Sequence, residues 1–168
     1  MENLRQAFVQ GADREPWEHQ LHAVANVLKV LSGSSGDGNR NCLVQHSTGS
    51  GKSFTMALLA WALRHNSHSG VDSVPLEGDK SNCSLVLILS DRVQLDRQLG
   101  DTCMAFLQRN GVPAAEIWRC DDHGGHDLLK VIGDVAVSLC SGCRIVISTK
   151  QRFDFLYHGS GADAYGML

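Results

Sequence analysis

His46-Ser47-Thr48-Gly49-Ser50-Gly51-Lys52-Ser53 is the stretch on which the reading of this chain turns. Its last three residues complete the pattern Gly-x4-Gly-Lys-Ser/Thr of a phosphate-binding loop, and His46 stands where that pattern has its first glycine. Glycines in the tight part of such a loop let backbone N–H groups converge on phosphate oxygens with no side chain in the way. A helix that starts where the loop ends adds the attraction of its N-terminus for an anion. Lys52 is placed to reach the outer phosphates, and the Ser53 hydroxyl to ligate Mg2+. Ser47, Thr48, Gly49, Ser50, Gly51, Lys52 and Ser53 are therefore the expected holders of ATP and Mg2+. Lys52 is the catalytic candidate and Ser53 the metal ligand. The plainer alternative is a Gly/Ser turn that carries a lysine. His46 is either a structural substitute for glycine or a general base, and no partner for a base is visible.

The flanks favour the loop. Cys42-Leu43-Val44-Gln45 reads as a short buried strand before it, and Ser53 to Arg64 as a buried helix after it. Upstream, Leu4, Ala7 and Phe8 suggest a first amphipathic helix. Trp17, Leu21, Val24, Leu28 and Leu31 recur at helical spacing in a second, with Pro16 at its first turn. Ser32 to Asn41 is a Gly/Ser connection, and Asn66 to Asn82 a long polar loop. Leu85 to Leu89 is an unbroken apolar run, as in a parallel strand covered on both faces. Leu95, Leu99, Cys103 and Phe106 predict a helix, Ala114 to Arg119 a short strand, Asp127 to Leu139 a helix, and Arg144 to Ser148 another strand. Strands that alternate with helices predict an α/β chain, and strand, glycine loop and helix open a P-loop nucleotide-binding parallel sheet with helices on both faces. Ligands of such sheets bind beyond the carboxyl ends of the strands. The expected division is a helical segment over 1–31, a partial ATP-binding domain over 41–158 and a tail over 159–168.

The 168 residues carry a net charge of −3, so a strongly basic surface is excluded and any nucleic-acid contact must be a local patch. The longest apolar runs are too short to span a bilayer. Met1-Glu2-Asn3 opens without a signal-peptide pattern, so a soluble, cytoplasmic protein is expected, nuclear if the source has a nucleus. The six cysteines are then expected as thiols, not disulfides. Cys140 and Cys143 form a Cys-x-x-Cys that could take zinc with Cys120, His123 and His126. The spacing is unusual for zinc, and ordinary thiols are the simpler reading.

GTPases read guanine with Asn-Lys-x-Asp, which is absent. Four ordered segments carry a resemblance instead: Arg14…Glu18-His19-Gln20, the glycine loop, Leu87-Ile88-Leu89-Ser90-Asp91-Arg92…Leu95-Asp96-Arg97-Gln98-Leu99, and Ile145 through Phe153. Over residues 14–156 the chain resembles the first RecA-like motor domain of superfamily-two helicases, and within them the motor subunit of type I restriction enzymes. The resemblance implies that Arg14 and Gln20 read adenine, an edge that needs both a donor and an acceptor. It implies that Arg92 and Thr149 lie along a DNA backbone, giving weak contacts blind to sequence. The family's acidic box, whose carboxylates hold magnesium and orient water, is not found in these residues. Asp91, at the end of an apolar strand, is the alternative magnesium carboxylate, although Arg92 follows where a glutamate would be expected. The chain is thus expected to be the ATP-binding leading portion of a DNA-dependent motor, from a truncated or split gene, with the remainder as a partner. The alternatives are a stand-alone P-loop module without turnover and a small-molecule kinase. Whether the chain is itself an enzyme stays open.

Overall fold

The computed structural model describes residues 1–31, 41–68, 85–91, 93–119 and 144–151. Leu4, Ala7, Phe8 and Gly11 make the buried stripe of α1 (Glu2–Ala12). Asp13 ends that helix in the left-handed region (φ 55°, ψ 38°), and its N–H bonds the Val9 carbonyl; a short polar side chain tolerates this conformation better than most. Then α2 (Glu18–Leu31) buries Gln20, Leu21, Val24, Val27 and Leu28. The helical stripe expected from Trp17 begins instead at Gln20 and Leu21. Trp17 precedes the helix and is 49% exposed.

From Lys52 to His68 runs α3, with Ala57, Leu58, Ala60 and Ala62 buried. The helix passes through Asn66, where a loop was expected, because no glycine or proline interrupts it before Gly70. Strand β1 (Leu85–Ser90) is followed by α4 (Val93–Arg109), and β2 (Ile117–Arg119) by β3 (Arg144–Thr149). The strand expected over Ala114 to Arg119 is a strand only in its second half. Ala114–Glu116 is a 3-10 turn behind Pro113, closed by the Glu116 N–H on the Pro113 carbonyl; Ala-Ala-Glu has little preference for a strand.

The sheet has the order β1-β3-β2, and both pairings are parallel. Leu85 stands opposite Arg144 and Ser90 opposite Thr149, so the carboxyl ends of β1 and β3 are level. The central strand is buried from Ile145 through Thr149, which accounts for its unbroken apolar run. Ile88, Ile117, Ile145 and Ile147 join Leu58, Leu99, Cys103 and Phe106 in one core with α1 and α2. This is the expected α/β, RecA-like arrangement. The expected strand Cys42–Gln45 is not formed. The segment is irregular and exposed, with Leu43 95% accessible, because no neighbouring strand among the described residues offers it a ladder of hydrogen bonds. The helix expected over Asp127 to Leu139, the connection over 32–40, Arg92, and the Cys120, His123, His126, Cys140 and Cys143 cluster lie outside the described residues. Among the described residues no helix is long and apolar enough to cross a membrane.

The N-terminal helix is tied to the far end of α4. Asn110 Nδ2 donates to the carbonyls of Ala7 and Phe106 (both 3.0 Å), Arg109 Nη1 to that of Gly11 (3.2 Å), and Gln10 Nε2 to that of Arg109 (2.7 Å). Gly11 permits this contact: a Cβ there would lie 2.3 Å from Asn110 Nδ2 and 2.5 Å from Phe106 Cδ2. Alanine ordinarily stabilises a helix by about 1 kcal/mol relative to glycine. Here Gly11→Ala should instead destabilise the fold by about 1–3 kcal/mol, the usual cost of overpacking. Urea unfolding checks the sign, and a gain in stability would contradict the packing described.

Candidate functional site: the phosphate loop and the residues that face it

The loop from His46 to Gly51 turns with Gly49 at φ 80° and Gly51 at φ 73°, a region open to glycine and strained for other residues. It is closed by the Ser50 N–H on the Ser47 carbonyl (3.3 Å), and then by the Phe54 and Thr55 N–H groups on the Gly51 carbonyl (3.0 and 3.2 Å). The N–H groups of Thr48, Gly49, Gly51, Lys52 and Ser53 meet no acceptor among the described residues. They are the donors that a chain of phosphates requires, and they sit at the N-terminus of the 17-residue α3. A Cβ on Gly49 would meet nothing within 4 Å, so the loop is open on that side. The donor set thus fits a nucleotide polyphosphate, with Lys52 and the Ser53 hydroxyl at the helix start.

Lys52 turns back on the loop. Its Nζ donates to the His46 and Ser47 carbonyls at 3.1 and 2.8 Å. This places a positive charge inside the loop and stiffens it. Behind the loop, a pocket of about 150 Å3 runs between α2 and α3 and is lined by Val24, Val44, His46, Lys52, Thr55 and Met56, among others.

Gln20 comes to the loop from α2 and is 1% exposed. Its Nε2 donates to the Ser50 and Gly51 carbonyls (3.4 and 3.2 Å), and its Oε1 accepts the Trp17 N–H (3.0 Å). The amide nitrogen is therefore engaged by two carbonyls of the loop, and turning it fully to adenine requires those bonds to be released. His19 Nε2 lies 3.2 Å from the Ser50 carbonyl, and the His19 ring meets His46 edge-on at 5.0 Å. The Arg14 guanidinium stands 4.6 Å from the centroid of the Phe54 ring and 5.8 Å from that of Trp17. Gln20 and Arg14 both crowd Gly51: a Cβ there would lie 2.6 Å from Gln20 Nε2 and 3.2 Å from Arg14 Nη2.

The structure thus brings together Arg14, Gln20 and the loop residues expected from sequence. Thr149 ends β3 and is 1% exposed, so a phosphate contact from its hydroxyl requires that end of the strand to open. Asp91 is exposed just past β1, and its carbonyl accepts Gln151 Nε2. Among the described residues no three His, Cys, Asp or Glu side chains gather closely enough to hold a metal. Three neighbours of the loop were not singled out from sequence: His19, Phe54 and Cys103. Cys103 Sγ lies 3.9 Å from the Ser53 carbonyl, and burial pushes its pKa up to about 12, so the thiol stays protonated. Phe54 directly follows the expected magnesium ligand, and His19 lies between Arg14 and Gln20. Those adjacencies were the available signal.

The two glycines should respond differently to a methyl group. Gly49→Ala meets only backbone strain of about 1–2 kcal/mol. Gly51→Ala meets the same strain and also displaces Gln20 from the loop, so it should lose more stability and weaken nucleotide binding by a further factor of about ten. Paired urea unfolding and nucleotide titrations check this; equal effects of the two changes would contradict the close approach of Gln20.

Residues 19–119 match the SWI2/SNF2 ATPase family. No curated protein and no solved structure matches the chain. The matched stretch includes Gln20, the whole phosphate loop, β1, α4 and β2, while Arg14 lies just before it. By this match the chain belongs to the SWI2/SNF2 ATPases, a superfamily-two helicase type of motor domain.

Proposed function

We propose that the chain binds ATP with Mg2+ as the first portion of a DNA-dependent ATPase that moves along its substrate. The observation that carries this reading is the set of N–H groups of Thr48, Gly49, Gly51, Lys52 and Ser53 that meet no acceptor among the described residues, beside the Lys52 ammonium, with Arg14 and Gln20 next to Gly51. Backbone donors and Lys52 take the phosphates, and the Ser53 hydroxyl takes magnesium, which supplies Lewis-acid stabilisation to the transferring phosphoryl group when bound. Arg14 is the adenine-side contact. Arg92 and Thr149 are the residues for DNA, through phosphates alone. The finer assignment to the motor subunit of a restriction enzyme rests only on the ordered sequence segments. A stand-alone nucleotide-binding module is the alternative.

Lys52→Ala should abolish binding of ATP with magnesium, and Ser53→Ala should weaken mainly the magnesium-dependent part. Titration with a fluorescent nucleotide reads both, and equal binding by wild type and Lys52→Ala would overturn the assignment. Turnover by this polypeptide alone should stay near background, since an orienting carboxylate and an arginine finger each act on hydrolysis after binding, the finger by about a thousandfold or more.

DNA binding should be weak, indifferent to sequence and strongly dependent on salt, as phosphate contacts on a chain of net charge −3 require. Fluorescence anisotropy between about 50 and 200 mM salt should show the affinity fall steeply. A tight complex that salt leaves unchanged would contradict phosphate-only contact.

A further inference from the structure

Two rows of contacts meet at one side chain in the first turn of α3. Phe54 packs against Phe8 of α1 (ring centroids 5.8 Å apart) and against Phe106 of α4 (6.4 Å), and those two rings also touch each other at 6.1 Å. Phe54 is also the nearer of the two rings that carry the Arg14 guanidinium. Its own N–H closes the loop on the Gly51 carbonyl. The ring is thus fixed by the core, bonded through its backbone to the phosphate loop, and in contact with the cation beside Gly51.

The hydrogen bonds around it decide which group faces a ligand. The Gln20 amide nitrogen is engaged by two carbonyls of the loop. Arg14 is exposed and has no hydrogen-bond acceptor among the described residues, so its five N–H donors are available. A guanidinium has only donors, and it takes ring nitrogens or phosphate oxygens as partners. What limits such a contact is the freedom of a long side chain, and a planar cation laid on a fixed aromatic ring has much less of it.

We propose that Phe54 is a positioning residue for nucleotide binding: its ring, fixed by Phe8 and Phe106, holds the Arg14 guanidinium beside Gly51, where it donates to acceptor atoms of ATP. Gln20 then serves to position the loop, and Arg14 is the group that touches the ligand. This rests on the ATP-binding reading and goes beyond it, because it makes a core-facing residue with no polar atom a determinant of affinity.

The test is a cycle of variants of the full 168-residue chain, each titrated with ATP and magnesium and each unfolded in urea to establish that it is folded. Phe54→Leu keeps an apolar side chain and removes the ring. It should weaken ATP binding by about fivefold, the range of a partly exposed cation–π contact. Phe54→Tyr keeps the ring and should restore affinity. In an Arg14→Ala background, Phe54→Leu should weaken binding no further. Arg14→Lys leaves the core untouched, and it should lose a similar factor because an ammonium lacks the stacking plane. That variant keeps the proposal testable if Phe54→Leu does not fold. Full affinity in Phe54→Leu or in Arg14→Lys would overturn the proposal, as would an equal loss from Phe54→Leu with and without Arg14. In each of those cases wild type would still bind ATP through Lys52. If wild type itself shows no Lys52-dependent binding, the ATP-binding reading fails and takes this proposal with it.

Discussion

Gly51, with φ at 73° and no Cβ, lets the Gln20 amide come down onto the carbonyls of the loop and the Arg14 guanidinium lie beside them. Most of the local structure follows from that close approach. Gln20 is buried yet satisfied, because the Ser50 and Gly51 carbonyls take its protons and the Trp17 N–H takes its oxygen. A buried amide without these partners would be expensive to keep. The same glycine carbonyl accepts the N–H groups of Phe54 and Thr55 in the first turn of α3. One backbone position therefore joins α2, the loop and α3, and the orientation of the unpartnered donors depends on it.

The site is also an electrostatic exception within its chain. The polypeptide is slightly acidic, yet the loop gathers the Lys52 ammonium, the Arg14 guanidinium and the N-terminus of a long helix. Glu15 and Glu18, the nearby carboxylates in sequence, pair with Arg5 on α1. The Glu18 hydrogen bond raises the pKa of that guanidinium. Those acids are engaged at Arg5, while the loop carries the Lys52 and Arg14 cations at a helix N-terminus, a setting that favours an anion.

Much of this was legible in the sequence for a physical reason: periodic burial leaves periodic residues. Leu4, Ala7 and Phe8, then Leu21, Val24 and Leu28, gave their helices through spacing alone, and Arg144 to Ser148 its strand through an unbroken apolar run. The phosphate loop was legible because its geometry admits few residue types. Cys42–Gln45 was misread because an apolar tetrapeptide carries no information about whether a neighbouring strand exists to pair with it. The first half of Ala114 to Arg119 was misread because Pro113 favours a turn that hydropathy does not register. Phe54 was overlooked for a different reason. A ring one residue past a serine looks like core, and only its contact with Arg14, forty residues earlier, gives it a further part.

The bonds between α1 and α4 also constrain the order in which the chain folds. Asn110 and Arg109 reach Ala7 and Gly11 across 103 and 98 residues of sequence, so α1 finds its place only after α4 has been made. Contacts of such separation must wait for the intervening chain and slow the search for the native state. On a ribosome, α1 has left the exit tunnel long before α4 exists. Its apolar stripe of Leu4, Ala7 and Phe8 stays uncovered for that interval, and the ring cluster beneath Arg14 stays incomplete. The ring cluster is therefore a late acquisition in the life of the polypeptide, completed when two helices about a hundred residues apart in sequence close on each other.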